Sequence, residues 1–184
     1  YFDETVSENT QRELKPADLI EDIERFIEAA EPLAPEIEIH TQYESYDPRP
    51  LPMHPSEWAS ILFNFFSNAR KAIRRAGTEG NILIRAGEEG ENVFLEFADD
   101  GDGIPEEDRE RVFNPFFTTT GPPKRHAPEV EEGRGSGLGL SIIKDVVSGY
   151  GGDVYLSEPP EEYATCLRVE IPAATKEQLE EYGS

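Results

Sequence analysis

The sequence is poor in cysteine and histidine and has no long apolar run, and each shortage excludes a class of protein. Its 184 residues include one cysteine, Cys166, which rules out an internal disulfide and indicates a reducing compartment. We therefore expect a cytoplasmic location, and a membrane anchor in the full-length protein is left open. The three histidines are scattered and form no zinc-ligand pattern with that cysteine. Because no apolar stretch approaches the roughly 20 residues of a membrane-spanning helix, we expect no membrane contact from this part of the protein.

Positive charge is also scarce, with 17 lysines and arginines against 39 aspartates and glutamates and a formal net charge of -22. Such a charge argues against nucleic-acid binding and, as a field over the whole protein, repels a polyphosphate. Any anion-binding site must therefore be locally basic. The locally basic residues are Arg70, Lys71, Arg74 and Arg75 in one helical stretch, and Lys124, Arg125 and Arg134 in one loop. Adaptation to salt is an alternative explanation for the acidic excess.

The length fits one domain with short flanking segments. The sequence starts without Met and without a signal pattern, so we expect it to be cut from a longer protein. We expect residues 1–15 to be a leader or the end of an upstream domain, residues 16–173 to be the folded domain and residues 174–184 to be a polar tail.

Hydrophobic periodicity predicts an alternation of helices and strands. The predicted helices are one opened by Pro16, one over residues 56–76, a short one from Pro105 through Val112 and one that contains Leu138 and Leu140 and ends near Gly151. The predicted strands cover residues 36–41, 81–86, 91–99, 153–157 and 164–171.

The helix predicted over residues 56–76 carries two different faces. Its apolar residues fall on one broad face, and Asn64, Asn68, Lys71 and Arg75 fall on a second, narrow stripe. Two amides, an ammonium and a guanidinium in a row suit a ligand site, although a solvated edge is the alternative.

Two further features point to a binding site. Asp99 continues the core-facing parity of its strand, so it is either buried with hydrogen bonds or lines a pocket. The alternating glycines Gly135, Gly137 and Gly139 precede a helix, where backbone N–H groups suit a phosphate, although a tight loop is the alternative. A loop over residues 118–136 leads into them, and its length is typical of a lid. Residues 113–117 (FNPFF) are expected to form an apolar plug.

In this order, the motifs resemble the nucleotide-binding domain shared by histidine kinases, gyrase, a mismatch-repair ATPase and a heat-shock chaperone. The resemblance covers roughly residues 17–172 and includes four boxes of the histidine-kinase branch. They are similar to the N box at residues 64–71 (NFFSNARK), the first glycine box at 99–104 (DDGDGI), the F box at 113–119 (FNPFFTT) and the second glycine box at 135–140 (GSGLGL).

The resemblance implies that the chain binds ATP and Mg²⁺. It implies that Asp99 accepts the adenine amino group, with Thr165 on the adenine side, and that Asn68, with Asn64 beside it, holds Mg²⁺. Lys71 would reach the phosphates, and Asn64 and Lys71 would be the catalytic residues. The other implied nucleotide contacts come from the glycine boxes and the lid: Gly101, Gly103, Ile104, Arg134, Gly135, Gly137, Leu138 and Gly139.

One position separates the branches of this superfamily. Its hydrolysing members resemble each other in a glutamate four residues before the Mg²⁺-binding asparagine, where Asn64 stands here. An amide cannot take a proton from water, so the resemblance favours phosphoryl transfer by a sensor histidine kinase. The alternatives are an ATP-hydrolysing or protein-serine-kinase member, or a nucleotide-binding regulatory module.

The phosphoaccepting histidine of such kinases has no counterpart here. His40 lies in a predicted strand, His54 in a proline-rich connector and His126 in the lid. We therefore expect the acceptor on a dimeric helical hairpin outside this chain, a response regulator as a further partner, and dimerisation only in the full-length protein. The implied fold is α+β, a two-layer sandwich in which three main helices cover one face of a mixed, largely antiparallel sheet of about five strands, with a mobile ATP lid.

Overall fold

A five-stranded sheet with helices packed on one face forms the centre of the protein. The computed structural model describes residues 15–77, 79–117 and 139–182. Its elements are β1 Lys15–Pro16, α1 Leu19–Ala30, β2 Glu38–Tyr43, β3 Pro52–Met53, α2 Ser56–Ala76, β4 Asn81–Glu89, β5 Asn92–Asp99, α3 Gly139–Gly149, β6 Asp153–Ser157, β7 Thr165–Pro172 and α4 Lys176–Tyr182, with 3-10 turns at Glu31–Leu33 and Glu106–Asp108.

The strand order of the sheet is β2-β4-β5-β7-β6, with β2 parallel to β4 and every other neighbouring pair antiparallel. The mixed, mostly antiparallel sheet predicted from the sequence is therefore confirmed. Within the described ranges, no helix is long and apolar enough to cross a membrane. The predicted division into residues 1–15, 16–173 and 174–184 stays a prediction.

One face of the sheet and the apolar sides of α1, α2 and α3 form a single core. Phe97 of β5 packs edge-on against Phe65 of α2, with ring centroids 5.8 Å apart, and Phe26 of α1 packs likewise against Phe66 at 5.6 Å. Because successive residues of a strand alternate between faces, the inward parity of β5 ends at Asp99 as the sequence predicts.

Helix α2 has the predicted limits because its periodic apolar face and its stop signal agree. Its core side includes Trp58, Phe65 and Ile73, all at most 2% exposed. Gly77 ends the helix in the left-handed conformation, with φ of 73°, and donates its N–H to the carbonyl groups of Ile73 and Arg74.

Two helix starts predicted from proline are wrong. Helix α1 begins at Leu19, because Asp18 caps it by accepting the N–H of Glu21 at 3.1 Å, whereas Pro16 pairs with Pro52 in the two-stranded β1–β3 sheet. Downstream of Pro105, the chain makes only the Glu106–Asp108 turn before irregular structure continues.

The opposite face of the sheet carries ion pairs. Glu96 is 6% exposed and accepts hydrogen bonds from Arg85 Nη1 at 2.9 Å and Arg168 Nη1 at 2.7 Å. Cys166 lies on this face, and burial raises the pKa of its thiol to about 12. At neutral pH the side chain is therefore a thiol, which excludes it as a thiolate nucleophile.

Candidate nucleotide site

The polar stripe of α2 lies beside the core face, and three of its four residues are only partly exposed, whereas Arg75 is exposed. Asn64, Asn68 and Lys71 are each intermediate between buried and exposed. Desolvation lowers the pKa of Lys71, and the positive charge of Arg75 lowers it further. Within the part of the chain that the structure describes, this partly desolvated ammonium has a cation beside it and no ion pair, and an anionic ligand would supply the compensating negative charge.

Asn64 lies against the start of α3. Its Nδ2 donates to the carbonyl oxygen of Ser60 at 2.8 Å, and its Oδ1 would lie 3.0 Å from a Cβ built on Gly139. The structure thus brings the N box and the end of the second glycine box together. A larger residue at position 139 would push against the amide oxygen of Asn64.

The first glycine box begins at the buried end of β5. Asp99 is 6% exposed, and its Oδ1 accepts the N–H of Gly101 at 2.9 Å. Burial raises the pKa of Asp99 to about 6, against the opposing effects of the Gly101 hydrogen bond and the Arg75 charge. Asp99 is therefore a buried carboxylate at neutral pH, with one oxygen already engaged by the backbone.

Thr165 and Ile104 lie at the same end of the sheet as Asp99. Thr165 faces Asp99 directly in the β5–β7 register, and Ala164 donates its N–H to the Asp99 carbonyl oxygen at 2.8 Å. Ile104, Leu156 and Thr165 line a small cleft there. Asp99 is not among the residues that line this cleft, so the cleft marks the end of the sheet shared by Asp99 and Thr165 and is not the space beside the Asp99 carboxylate.

The two glycines of this loop have different structural reasons. A Cβ on Gly101 would lie 2.5 Å from the Ala72 Cβ and 2.6 Å from the Ala72 carbonyl carbon, so Gly101 permits close packing on α2. Gly103 has a φ of 77°, which favours glycine. The close approach at Gly101 to Ala72 was not foreseen, because it depends on tertiary packing.

The predicted apolar plug is wrong in part. Phe113 packs on the core with Lys144 Nζ 5.2 Å from its ring centroid, and the Arg111 guanidinium carbon lies 5.4 Å from the Phe117 ring centroid. Phe116, however, is 74% exposed and has a φ of 65°. The Phe116 ring therefore faces solvent and not the core, on a backbone conformation that is uncommon for a bulky residue.

Several residues of the predicted site lie outside the described residues. They are Arg134, Gly135, Gly137, Leu138 and the lid cations Lys124 and Arg125. In the described ranges, no group of three or more histidine, cysteine or acidic side chains is arranged to hold a metal ion. The described candidates for metal ligation are therefore the amide oxygens of Asn64 and Asn68, which suit a hard cation that keeps several waters.

The polar stripe predicted from the sequence includes Arg75, but the sequence does not predict the contact of Arg75 with Asp102. Arg75 Nε donates to Asp102 Oδ2 at 2.7 Å and its Nη2 donates to Asp102 Oδ1 at 3.1 Å. The opposite charges of Arg75 and Asp102 are the sequence signal for this ion pair. The two residues are 27 positions apart, however, and a local sequence pattern does not connect residues at that separation.

The fold and the arrangement of Asp99, the glycine loop and the α2 stripe define an ATPase-type nucleotide-binding domain. The chain belongs to the family described as histidine kinase-, DNA gyrase B-, and HSP90-like ATPase, whose model matches residues 53–175.

Sensor histidine kinases are among its relatives. Sensor histidine kinase GlrK of Escherichia coli K12 is 33% identical over 115 residues, which are 62% of this chain and 22% of that protein. Sensor protein KdpD of the same strain is 34% identical over 122 residues, 66% of this chain and 12% of that protein. The matched region spans less than a quarter of the length of either relative.

Solved structures agree with this assignment. The catalytic domain of histidine kinase ThkA is 26% identical, with a TM-score of 0.70 over 88% of this chain and 97% of that one. Mycobacterial sensor histidine kinase MprB is 26% identical, with a TM-score of 0.69 over 87% of this chain and 99% of that one. The chain is thus an ATP-binding catalytic domain of the histidine-kinase type, and the sandwich fold predicted from the sequence is confirmed.

Proposed function

We propose that this domain transfers the γ-phosphoryl group of ATP to a histidine outside the chain. The observation that supports transfer over hydrolysis is Asn64, whose amide oxygen lies against Gly139 where a hydrolysing enzyme would need a carboxylate. An amide can orient a phosphate or a cation but cannot take a proton from attacking water.

The proposed site holds the two ends of ATP on different elements. Asp99 and Thr165 would bind the adenine edge, with Gly101, Gly103 and Ile104 around the base. Lys71 would contact the phosphates as a point charge. The backbone of Gly135, Gly137, Leu138 and Gly139, with Arg134, would enclose the phosphate groups.

Asn68 and Asn64 are the proposed Mg²⁺ ligands, and their amide oxygens fit that role because they project from one stripe beside Lys71. Held by these two residues, Mg²⁺ would supply positive charge against the negative charge of the phosphates. Asn64 would orient the terminal phosphate, and Lys71 would offset negative charge, so the protein would act chiefly by positioning and electrostatics.

The acceptor and partners are proposals as well. His40 Nε2 shares a hydrogen bond with Asn81 Oδ1 at 3.2 Å, and His54 Nδ1 shares one with Ser56 Oγ at 2.7 Å, both away from the stripe. We propose a phosphoaccepting helical hairpin upstream or on another chain, a response regulator that receives the phosphoryl group, and a cytoplasmic location.

A transfer assay tests this function. The domain is incubated with γ-labelled ATP, Mg²⁺ and the proposed phosphoaccepting helical hairpin, taken from the full-length protein or from a partner chain. We expect label on the hairpin histidine and little free phosphate. Asn68→Ala should remove the Mg²⁺ dependence of ATP binding, whereas Gln42→Ala, on the exposed edge strand β2, should retain it.

The outcomes separate the alternatives. Steady release of phosphate by the isolated domain would favour an ATP-hydrolysing member and overturn the role given to Asn64. Tight ATP binding without transfer to the hairpin would favour a regulatory module.

A further inference from the structure

We propose that Arg75 is a positioning residue for the adenine end of the site, acting through a two-pronged ion pair with Asp102 that fixes the first glycine loop on α2. The proposal rests on the proposed function, because it assigns Asp99 to the base. Arg75 itself is not expected to touch the nucleotide.

The loop is attached to α2 at three adjacent points. Arg75 reaches both carboxylate oxygens of Asp102, at 2.7 and 3.1 Å, and the Asp102 N–H donates to the Ala72 carbonyl oxygen at 3.2 Å. Gly101 packs on Ala72 with no room for a Cβ. Both ends of the Arg75–Asp102 pair are about one third exposed, and a two-pronged contact fixes orientation as well as distance.

The attached loop in turn holds Asp99. The Gly101 N–H donates to Asp99 Oδ1 at 2.9 Å and so engages one oxygen of the carboxylate. Among the described residues no hydrogen bond is made to the second oxygen, which would accept the amino group of a base. A shift of the loop away from α2 would move the Gly101 N–H and rotate the Asp99 carboxylate with it.

The charge of Arg75 also matters to the site. Asp99, Asp100 and Asp102 stand within four positions, and the negative charges of Asp100 and Asp102 both oppose ionisation of Asp99, whereas Arg75 favours it. Asp100 is held separately, since its oxygens accept from the backbone and side-chain nitrogens of Asn81 at 2.7 and 3.0 Å. Arg75, on α2, therefore offsets part of the negative charge of the first glycine loop.

Calorimetric titration of the domain with ATP, ADP and GTP in Mg²⁺ tests the proposal. For Arg75→Gln we expect about tenfold weaker binding of ATP and of ADP, and a smaller preference for ATP over GTP, because the base-reading carboxylate is displaced. Lys71→Gln should instead weaken ATP more than ADP and leave base preference unchanged. Arg25→Gln, which removes the same charge from the exposed Arg25–Glu21 pair of α1, is the control and should bind as the parent does.

Two further variants keep the test decisive. Asp102→Asn should reproduce the lost base preference of Arg75→Gln with a smaller loss of affinity, because it removes the same contact and also a negative charge that opposes ionisation of Asp99. The double variant should bind no worse than Arg75→Gln, because both substitutions remove one contact. Arg75→Lys keeps the charge but loses the two-pronged geometry, so its base preference should lie between those of the parent and Arg75→Gln.

An unchanged ATP-to-GTP preference in folded Arg75→Gln, or additive losses in the double variant, would overturn the positioning role. Failure of the parent domain to bind ATP would instead overturn the proposed function. Circular dichroism at the titration temperature confirms that each variant is folded, and the exchanged pair Arg75→Asp with Asp102→Arg should regain part of the preference if either single variant unfolds.

Discussion

Asp99 carries a charge in a place where burial opposes it. Its carboxyl has a pKa of about 6 in the folded protein against an ordinary value of 3.8, and burial is the largest cause. A difference of this size corresponds to about 3 kcal/mol between the two protonation states. The domain therefore keeps an ionised acceptor at neutral pH at the expense of its own stability.

Asp99→Asn should accordingly stabilise the nucleotide-free domain while abolishing ATP binding. Because the pKa is raised by folding, the wild-type carboxyl favours folding below pH 3.8, and that contribution is lost as the pH rises through about 6. We expect a gain in the free energy of unfolding of about 1–3 kcal/mol at pH 8, disappearing near pH 4. Urea denaturation at both pH values measures it.

Asp22→Asn is the matched control for this substitution. Burial also raises the pKa of Asp22 to about 6, and Asp22 lies in the first turn of α1. The control should therefore show the same direction of pH dependence and unchanged ATP affinity. If Asp99→Asn bound ATP as tightly as the parent, the adenine assignment would be wrong.

At the scale of elements, a helix could be predicted correctly from the sequence where its apolar period and its start or stop residues marked the same limits. Helix α2 was correctly placed because its apolar period and its terminal glycine mark the same limits. The helices predicted from Pro16 and Pro105 were wrong, because a proline suits the first turn of a helix but also an extended strand or a 3-10 turn. The pairing of Pro16 with Pro52 depends on a contact 36 positions away, which local pattern does not contain.

Local pattern likewise does not show which glycines are packed closely against another element. Gly101→Ala should destabilise the domain and weaken ATP binding, because its Cβ would lie 2.5 Å from the Ala72 Cβ and force the first glycine loop off α2. We expect a loss of about 1–3 kcal/mol in the free energy of unfolding, typical of overpacking. Denaturation and ATP titration of the folded protein measure the two effects.

Gly152→Ala is the control that separates the effect of steric crowding on stability from an effect on ATP binding. Its Cβ would lie 2.2 Å from the Glu170 carbonyl oxygen, so a similar loss of stability is expected outside the candidate site. Gly152→Ala should retain the parent affinity for ATP when folded. Equal losses of affinity in both variants would show that the Gly101 effect is only a loss of folding.

At the scale of the whole molecule, the candidate site joins segments that are distant in sequence. The stripe of Asn64, Asn68, Lys71 and Arg75 follows from helical spacing alone. The inward position of Asp99 follows from strand parity. Their convergence required the resemblance to a known family, and the contacts of Ala72 with Gly101 and of Arg75 with Asp102 required the structure. Propensity and period describe one element at a time, whereas these contacts arise between elements.

The net charge of the whole chain sets its response to salt. At -22 the protein repels itself in the compact state, and salt screens that repulsion over a distance that falls to about 3 Å at 1 M. The described surface ion pairs weaken under the same conditions, but exposed pairs contribute little. The balance of these effects predicts stabilisation by salt.

Raising KCl from 50 mM to 1 M should therefore raise the Tm by about 5 °C or more, measured by calorimetry without nucleotide. A variant in which Glu177, Glu180 and Glu181 of the exposed helix α4 become glutamine should have a higher Tm at low salt and a smaller rise, because it has less repulsion to screen. An equal concentration of an uncharged osmolyte should raise the Tm of parent and variant alike. A Tm that falls with KCl, or a variant with an unchanged salt response, would mean that the acidic excess does not oppose folding.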